Sequence, residues 1–442
     1  MRTKNRTNRT LGSDAEASFS LIVARTVYGI NWFNISAIFP LIALEFEKDV
    51  SLLGSMSAAF FIGVGLFQIP AGIFAARFNP RTSAIVGIII TSSAALLCGV
   101  VVSSSQLIWL RFIVGFGMAF FFSSAVILIA KYGKRGFPGF SIGIMNSAHS
   151  LGGIIGIFAW IIIAQMVGWR PSLILSGVLG LGTALFMIMT IPKSKITVDA
   201  DSTVEDKSYQ PPRKGKEFNF FTTFSVLSNR TLVCLGLILI GIQAAWAVEL
   251  TFLVVYLGNL GFSMQFVGII ASLPLIFAII SAPLIGRVCD KAKDTKRVLI
   301  ICGIGTSTAI AGLSIDNLFM IITSVILTGF FSGGAFTVVY EKARTVLINT
   351  AVDDRKTTTS CDIDDVDADR RNFVERKEHL LSDSSYFDTL KVAWVNGLSL
   401  IGVLWTPLAF SYVVEESSYH LAWIITAAIT AVFVITPIKF LK

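Results

Sequence analysis

A carboxylate set in hydrocarbon has the most chemistry to explain in this sequence. Glu249 lies within ILIGIQAAWAVELTFLVVY and is the one acidic residue well inside any apolar run. A charge there is expensive to bury, so intramembrane carboxylates face a cavity or a partner and often relay protons. Gln243 and Trp246 precede Glu249 at spacings that place them along the same side of a helix. The spacing predicts a Glu249 that faces a cavity and exchanges protons. A carboxyl solvated or bonded near the outer helix end is the plainer alternative. In the first apolar run of the chain Tyr28, Asn31 and Asn34 recur every three residues, with Arg25 one step before them. Buried amides need partners or water, so this face suits either solute contact or interhelical hydrogen bonds, and Arg25 can snorkel to an interface. Arg111 lies inside a fourth run, where it could meet an anionic solute. Asn146 and His149 share one helical face, and Asn396 and Ser399 share a corresponding one.

Other chemistries lack their residues. There is no phosphate-cradling Gly-Lys-Ser/Thr loop, no HExxH and no grouping of His and Cys ligands. The expectation is therefore no enzyme, no cofactor, no metal and no direct ATP drive. The five cysteines show no paired spacing and read as reduced packing residues.

These side chains must be positioned by membrane helices. Of 442 residues, 54% are hydrophobic and 14% charged, with mean hydropathy +0.74. A soluble domain carries about 25% charged residues. Apolar runs fall at 18–44, 51–76, 83–104, 107–130, 139–167, 171–191, 232–258, 265–287, 297–314, 318–341, 391–413 and 421–438. Each is near the length of about 20 residues that crosses a bilayer. With both termini placed in the cytoplasm, 32 of the 36 Lys and Arg residues fall on the inner side, as the positive-inside rule demands. The net charge of +8 thus reads as topology, and no nucleic-acid partner is expected.

The chain divides into a tail (1–17), a six-helix bundle (18–192), a polar linker (193–230) and a second bundle (231–442). The second bundle carries a charged insert at 344–390. The bundles repeat. Gly72 pairs with Gly286, an offset of 214, as do Trp32 with Trp246, Gly54 with Gly268, and Gly115-Phe116 with Gly329-Phe330. From the fifth helix the offset is 250, pairing Asn146 with Asn396 and Gly152 with Gly402. Such a duplication implies a pseudo-two-fold axis along the membrane normal and a site between the halves near the midplane.

At this point the chain resembles the major facilitator superfamily over essentially its whole length. That family's loop signature after the second and eighth helices is matched by Gly286, Asp290, Lys291, Lys296 and Arg297. It is matched in eroded form by Gly72, Arg77 and Arg81, with Ala76 where the Asp belongs. The fourth-helix pattern is intact as Arg111, Gly115, Gly117 and Ala119. Gly143, Gly152 and Gly156 form part of an exchanger pattern, and the place equivalent to its missing Pro is Thr406-Pro407. The resemblance implies an all-α membrane fold of twelve helices in two pseudo-symmetric six-helix bundles. It further implies a secondary transporter working by alternating access, with spans 1, 4, 5, 7, 10 and 11 around the site and the two loops as gating elements. The expected setting is a monomer in the cell membrane with a small solute and protons as partners. The solute would be anionic if Arg111 or Arg25 reads it. An exporter of drugs or metabolites and a non-transporting sensor using the 344–390 insert are the alternatives.

Overall fold

In hydrocarbon every backbone N–H and C=O must be satisfied internally, and an apolar run of about 20 residues does so as a helix. The computed structural model describes residues 2–77, 79–133, 138–192, 228–291, 295–346, 391–392 and 394–441, and among them all regular structure is helical. The first half comprises α1 (Arg2–Phe46), α2 (Val50–Arg77), α3 (Pro80–Cys98), α4 (Ser104–Tyr132), α5 (Pro138–Ile154), α6 (Trp160–Val167) and α7 (Trp169–Thr190). The second comprises α8 (Arg230–Asn259), α9 (Met264–Lys291), α10 (Thr295–Gly312), α11 (Leu318–Thr345), α12 (394–403), α13 (Thr406–Glu416) and α14 (Tyr419–Ile438). The expected tail is continuous with α1. The linker at 193–227 and the insert at 347–390 lie outside the described residues.

Local chemistry sets several helix starts. Asn79, Ser103, Asn229, Asn317 and Ser418 each accept a bond from a backbone N–H of the first turn through the side chain, which satisfies otherwise orphaned donors. Among the described residues, eleven helical stretches are long and apolar enough to span a membrane. The twelfth expected span is α10, whose first turn carries Lys296 and Arg297 and so leaves a shorter apolar stretch. Large apolar side chains such as Leu44, Trp109, Met166, Met189 and Val432 point outward, as a lipid-facing belt requires.

The duplication holds in the packing. Gly115 of α4 lies against the backbone of α2 at Phe60, and Gly329 of α11 lies against the backbone of α9 at Pro274, each pair related by 214 residues. A Cβ at either glycine would strike a backbone carbonyl. In another equivalent pair the sizes are exchanged: Gly117 meets Thr91 in the first half, while Phe331 fills the space over Gly305 in the second. The halves also interrupt the same span. Residues Ile155–Ala159 form a π-helical turn between α5 and α6. A turn at 404–405 separates α12 from α13, which opens on Thr406-Pro407, 250 residues after Gly156-Ile157. Single π turns recur at functional sites, and a Pro at a helix start needs no intrahelical donor.

The halves meet most closely at the end carrying Glu45, Asp316 and Glu415, here called the distal end, opposite the chain termini. There α2 packs on α13, and α9 packs on α5, the π turn and α6. One buried apolar cluster runs through both halves near this end and includes Phe33, Phe39, Trp160, Phe252, Phe410 and Trp423.

Candidate central site between the halves

Between the bundles lies a small cavity of about 30 Å³, room for a water or two and not for an organic solute. Its walls come from α1 (Trp32, Phe33, Ile35, Ser36), α2 (Ser57, Phe60, Phe61), α4 (Arg111) and α8 (Gln243, Trp246, Ala247, Leu250, Thr251). Trp32 and Trp246, equivalent in the repeat, both line it, one from each half. Of the spans expected around a site, the first, fourth and seventh line this cavity; the second adds a stripe at i, i+3 and i+4, and the fifth, tenth and eleventh do not border it.

Arg111 is the cavity's cation. It is 5% exposed, its Nη1 donates to the Asn31 carbonyl at 3.1 Å, and its guanidinium lies 4.7 Å above the Phe60 ring. Its Nε has no hydrogen-bond partner among the described residues. A buried guanidinium with a free N–H and a ring beneath it presents the fork that matches a carboxylate or sulfonate. Gln243 adds to the same wall a side-chain oxygen without a partner among the described residues. Ser36, Ser57 and Thr251 add hydroxyls.

Glu249 does not line the cavity. The wall stripe of α8 is Gln243, Trp246, Ala247 and Leu250, and at 100° per residue Glu249 points about 120° away from its centre. Glu249 is fully buried, and both carboxyl oxygens lack partners among the described residues. Three-residue spacing drifts by about 60° per step, so Gln243, Trp246 and Glu249 do not share one narrow face.

The other candidates divide by role. Asn31 bonds its own helix, Nδ2 to the Val27 carbonyl at 3.1 Å, and positions Arg111 through its backbone oxygen. Asn34 donates to Ser176 Oγ at 3.4 Å and so joins α1 to α7. His149 packs its ring against Tyr28, Trp32 and Phe33 with centroids 5.6–5.7 Å apart, behind the cavity wall. Asn146 is exposed. Asn396 accepts a 2.8 Å bond from the Tyr340 hydroxyl. Arg25 does not snorkel. It is 5% exposed, and its guanidinium carbon lies over the rings of Tyr28 and Phe122 at 4.3 and 4.8 Å.

The loop candidates are placed in part. Gly72 and Gly286 sit in the last turns of α2 and α9. Arg81 donates from Nε to the Ile191 carbonyl at 2.7 Å and from Nη2 to the Ile188 carbonyl at 2.8 Å, closing the C-terminus of α7 within its own half. Arg297 lies in the first turn of α10. The side chains of Arg77, Asp290 and Lys291 lie outside the described residues. At the distal end Glu45 accepts from Trp169 Nε1 at 2.7 Å and from Arg170 Nη2 at 2.6 Å, which ties α1 to the start of α7.

Comparison with known proteins agrees with this architecture. Over 299 residues the chain is 28% identical to a probable sulfoacetate transporter of Cupriavidus necator, a match that covers 64% of this chain and 66% of that relative's length. It is 22% identical over 335 residues to a 4-hydroxybenzoate transporter of Pseudomonas putida, covering 70% and 73%. Its fold matches the crystal structure of a bacterial homologue of the human lysosomal transporter Spinster, in an inward-facing and unoccupied conformation, with a TM-score of 0.69 and 16% identity over 97% and 96% of the two chains. Residues 21–341 match the family model of the Major Facilitator Superfamily, and the chain belongs to that superfamily.

Proposed function

We propose that the protein is a secondary transporter that carries a small organic anion through the membrane by alternating access, with Arg111 as the side chain that holds the anionic head. The observation that carries this reading is the buried guanidinium of Arg111, without a carboxylate partner among the described residues, in a space shared by both halves. Two relatives named for organic-anion transport support the class of solute. The cavity is contracted as it stands, so binding requires a change of shape, which alternating access supplies.

Protons are the proposed coupling ion. Glu249 is a carboxyl without partner among the described residues and without cavity contact, and in that setting a charge requires a counterion or a proton. Because it points away from the anion, it would act on the packing of the second half rather than on the solute. One chain holds both halves of the site, so the working unit is proposed as a monomer. The distribution of Lys and Arg supports both termini in the cytoplasm and placement in the cell membrane.

Uptake of radiolabelled sulfoacetate and 4-hydroxybenzoate into proteoliposomes tests the proposal. Wild-type protein should take up at least one of them, and Arg111→Gln should lose roughly 100-fold or more in rate, the equivalent of about 3 kcal/mol of lost charge-assisted bonding. Full activity in Arg111→Gln would remove the anion-holding role. Accumulation of organic cations by an otherwise inert wild type would favour the exporter reading.

A further inference from the structure

Arg111 is not the only buried cation between the halves. We propose that Arg25 is a second anion-binding side chain, on the proximal side of the aromatic wall, which takes up the anionic head after it leaves Arg111. The proposal rests on the reading of Arg111 as an anion holder and adds a separate site to it.

Among the described residues, the environment of Arg25 leaves room for an anionic ligand. Nε and Nη1 have no partner among the described residues, although the residue is only 5% exposed. The guanidinium Cζ lies over the Tyr28 and Phe122 rings, 4.3 and 4.8 Å from their centroids. Nε and Nη1 can each donate a charge-assisted hydrogen bond to a carboxylate or sulfonate oxygen. Leaving such a charge buried and unpaired is unfavourable, so an anion there relieves a standing electrostatic cost.

Its position fits a hand-over. Arg25 precedes by six residues Asn31, whose carbonyl receives Arg111, which is about 9 Å along the axis of α1. Tyr28, Trp32 and His149 stand between the two cations in mutual ring contact, with centroids 5.6–5.7 Å apart. His149 Nδ1 is buried and also lacks a partner among the described residues. The opposite half packs nearby: Tyr28 shares one buried cluster with Ile240, Ala244, Leu400 and Val403, so the surroundings of Arg25 change when the halves rock.

Equilibrium binding of radiolabelled sulfoacetate and 4-hydroxybenzoate to the purified full chain, at low chloride, tests this. Wild type should bind two ions of the preferred probe at saturation. Arg25→Gln and Arg111→Gln should each bind one, and Arg25→Lys should keep two with the second weakened about tenfold, since it retains charge and loses the Arg N–H donors. The melting temperature without ligand, together with Arg25→Lys, separates misfolding from lost binding. A wild-type stoichiometry of one that is unaltered in Arg25→Gln and abolished in Arg111→Gln overturns the second station alone. One ion retained in Arg111→Gln and lost in Arg25→Gln overturns the role of Arg111 and leaves Arg25 as the holder. Binding by none of the proteins overturns both. Chloride or inorganic sulfate displacing the second ion at equal concentration would make it a resident inorganic anion, and the hand-over would fall.

Discussion

The backbone N–H of Ser51 donates to Glu415 Oε1 at 2.6 Å, a bond between residues 364 positions apart that joins the first turn of α2 to the last turn of α13. The repeat contains its counterpart. Gln265 stands 214 residues after Ser51, Gln165 stands 250 before Glu415, and Gln265 Nε2 donates to Gln165 Oε1 at 3.2 Å. One turn inward, Gly54 lies against Ser411, while its equivalent Gly268 lies against Ile161, the equivalent of Ser411. The distal seal is thus one contact used twice, with a carboxylate at a helix N-terminus in one seam and a pair of amides in the other.

If the seal limits opening at this end, loosening it should expose the cavity. Glu415→Leu should raise the labelling rate of a Ser57→Cys reporter by an impermeant thiol reagent roughly fivefold, the equivalent of about 1 kcal/mol. Gln165→Leu removes a neutral bond and should do less. Unchanged labelling in Glu415→Leu would show that the apolar contacts alone hold the seam.

Glu249 separates transport from coupling. Glu249→Gln keeps the shape and removes the titrating group. Exchange of labelled for unlabelled anion should stay within about threefold of wild type, while accumulation against a gradient driven by an imposed pH difference is lost. Proton-driven accumulation at wild-type level in that variant would exclude Glu249 as the coupling site.

Arg81 belongs to a loop expected to gate, yet it caps α7 inside one half. Arg81→Ala should lower stability by about 1–2 kcal/mol through two lost charge-assisted bonds to helix-end carbonyls, read as a lower melting temperature. Turnover per folded molecule should stay close to wild type. A turnover defect with unchanged melting would return Arg81 to the gate.

Lys391 Nζ donates to the Val346 carbonyl at 3.0 Å, so the chain leaves and re-enters the bundle at neighbouring points on either side of residues 347–390. Replacing those residues by a Gly/Ser linker of about eight residues should be tolerated, because such a linker spans a gap of this size. Anion flux should remain within about twofold of wild type. Loss of flux with normal folding would assign the insert a working role.

Several of these features can be read from residue types and spacing alone. Composition and run lengths point to the helices, and the offsets of 214 and 250 point to the duplicated halves. The Trp32–Trp246 pair, visible as a repeat, lines the shared cavity. Arg111 stands out because a charge inside an apolar run must be explained. The stripe Ser57, Phe60, Phe61 carries no such signal: Ser and Phe are ordinary in a membrane helix, and only the partner surface tells a cavity wall from a packing face. Arg25 is hard to read for a related reason. Its place near the end of a run suits snorkelling, and nothing local reveals that Tyr28 and Phe122 close over it.

The order of the residues is enough to make this chain span a membrane many times in two related halves, since an apolar backbone segment in lipid has no alternative to its own helical hydrogen bonds. Which polar residues meet is settled by packing in three dimensions. The direction a side chain faces depends on how each helix is rotated against its neighbours. That rotation comes from contacts between residues hundreds of positions apart, such as Gly54 on Ser411, and from closer approaches such as Gly29 on Gly152. By that route Arg111 reaches the cavity, Glu249 turns away from it, and the Nε and Nη1 of Arg25 are buried without a partner among the described residues.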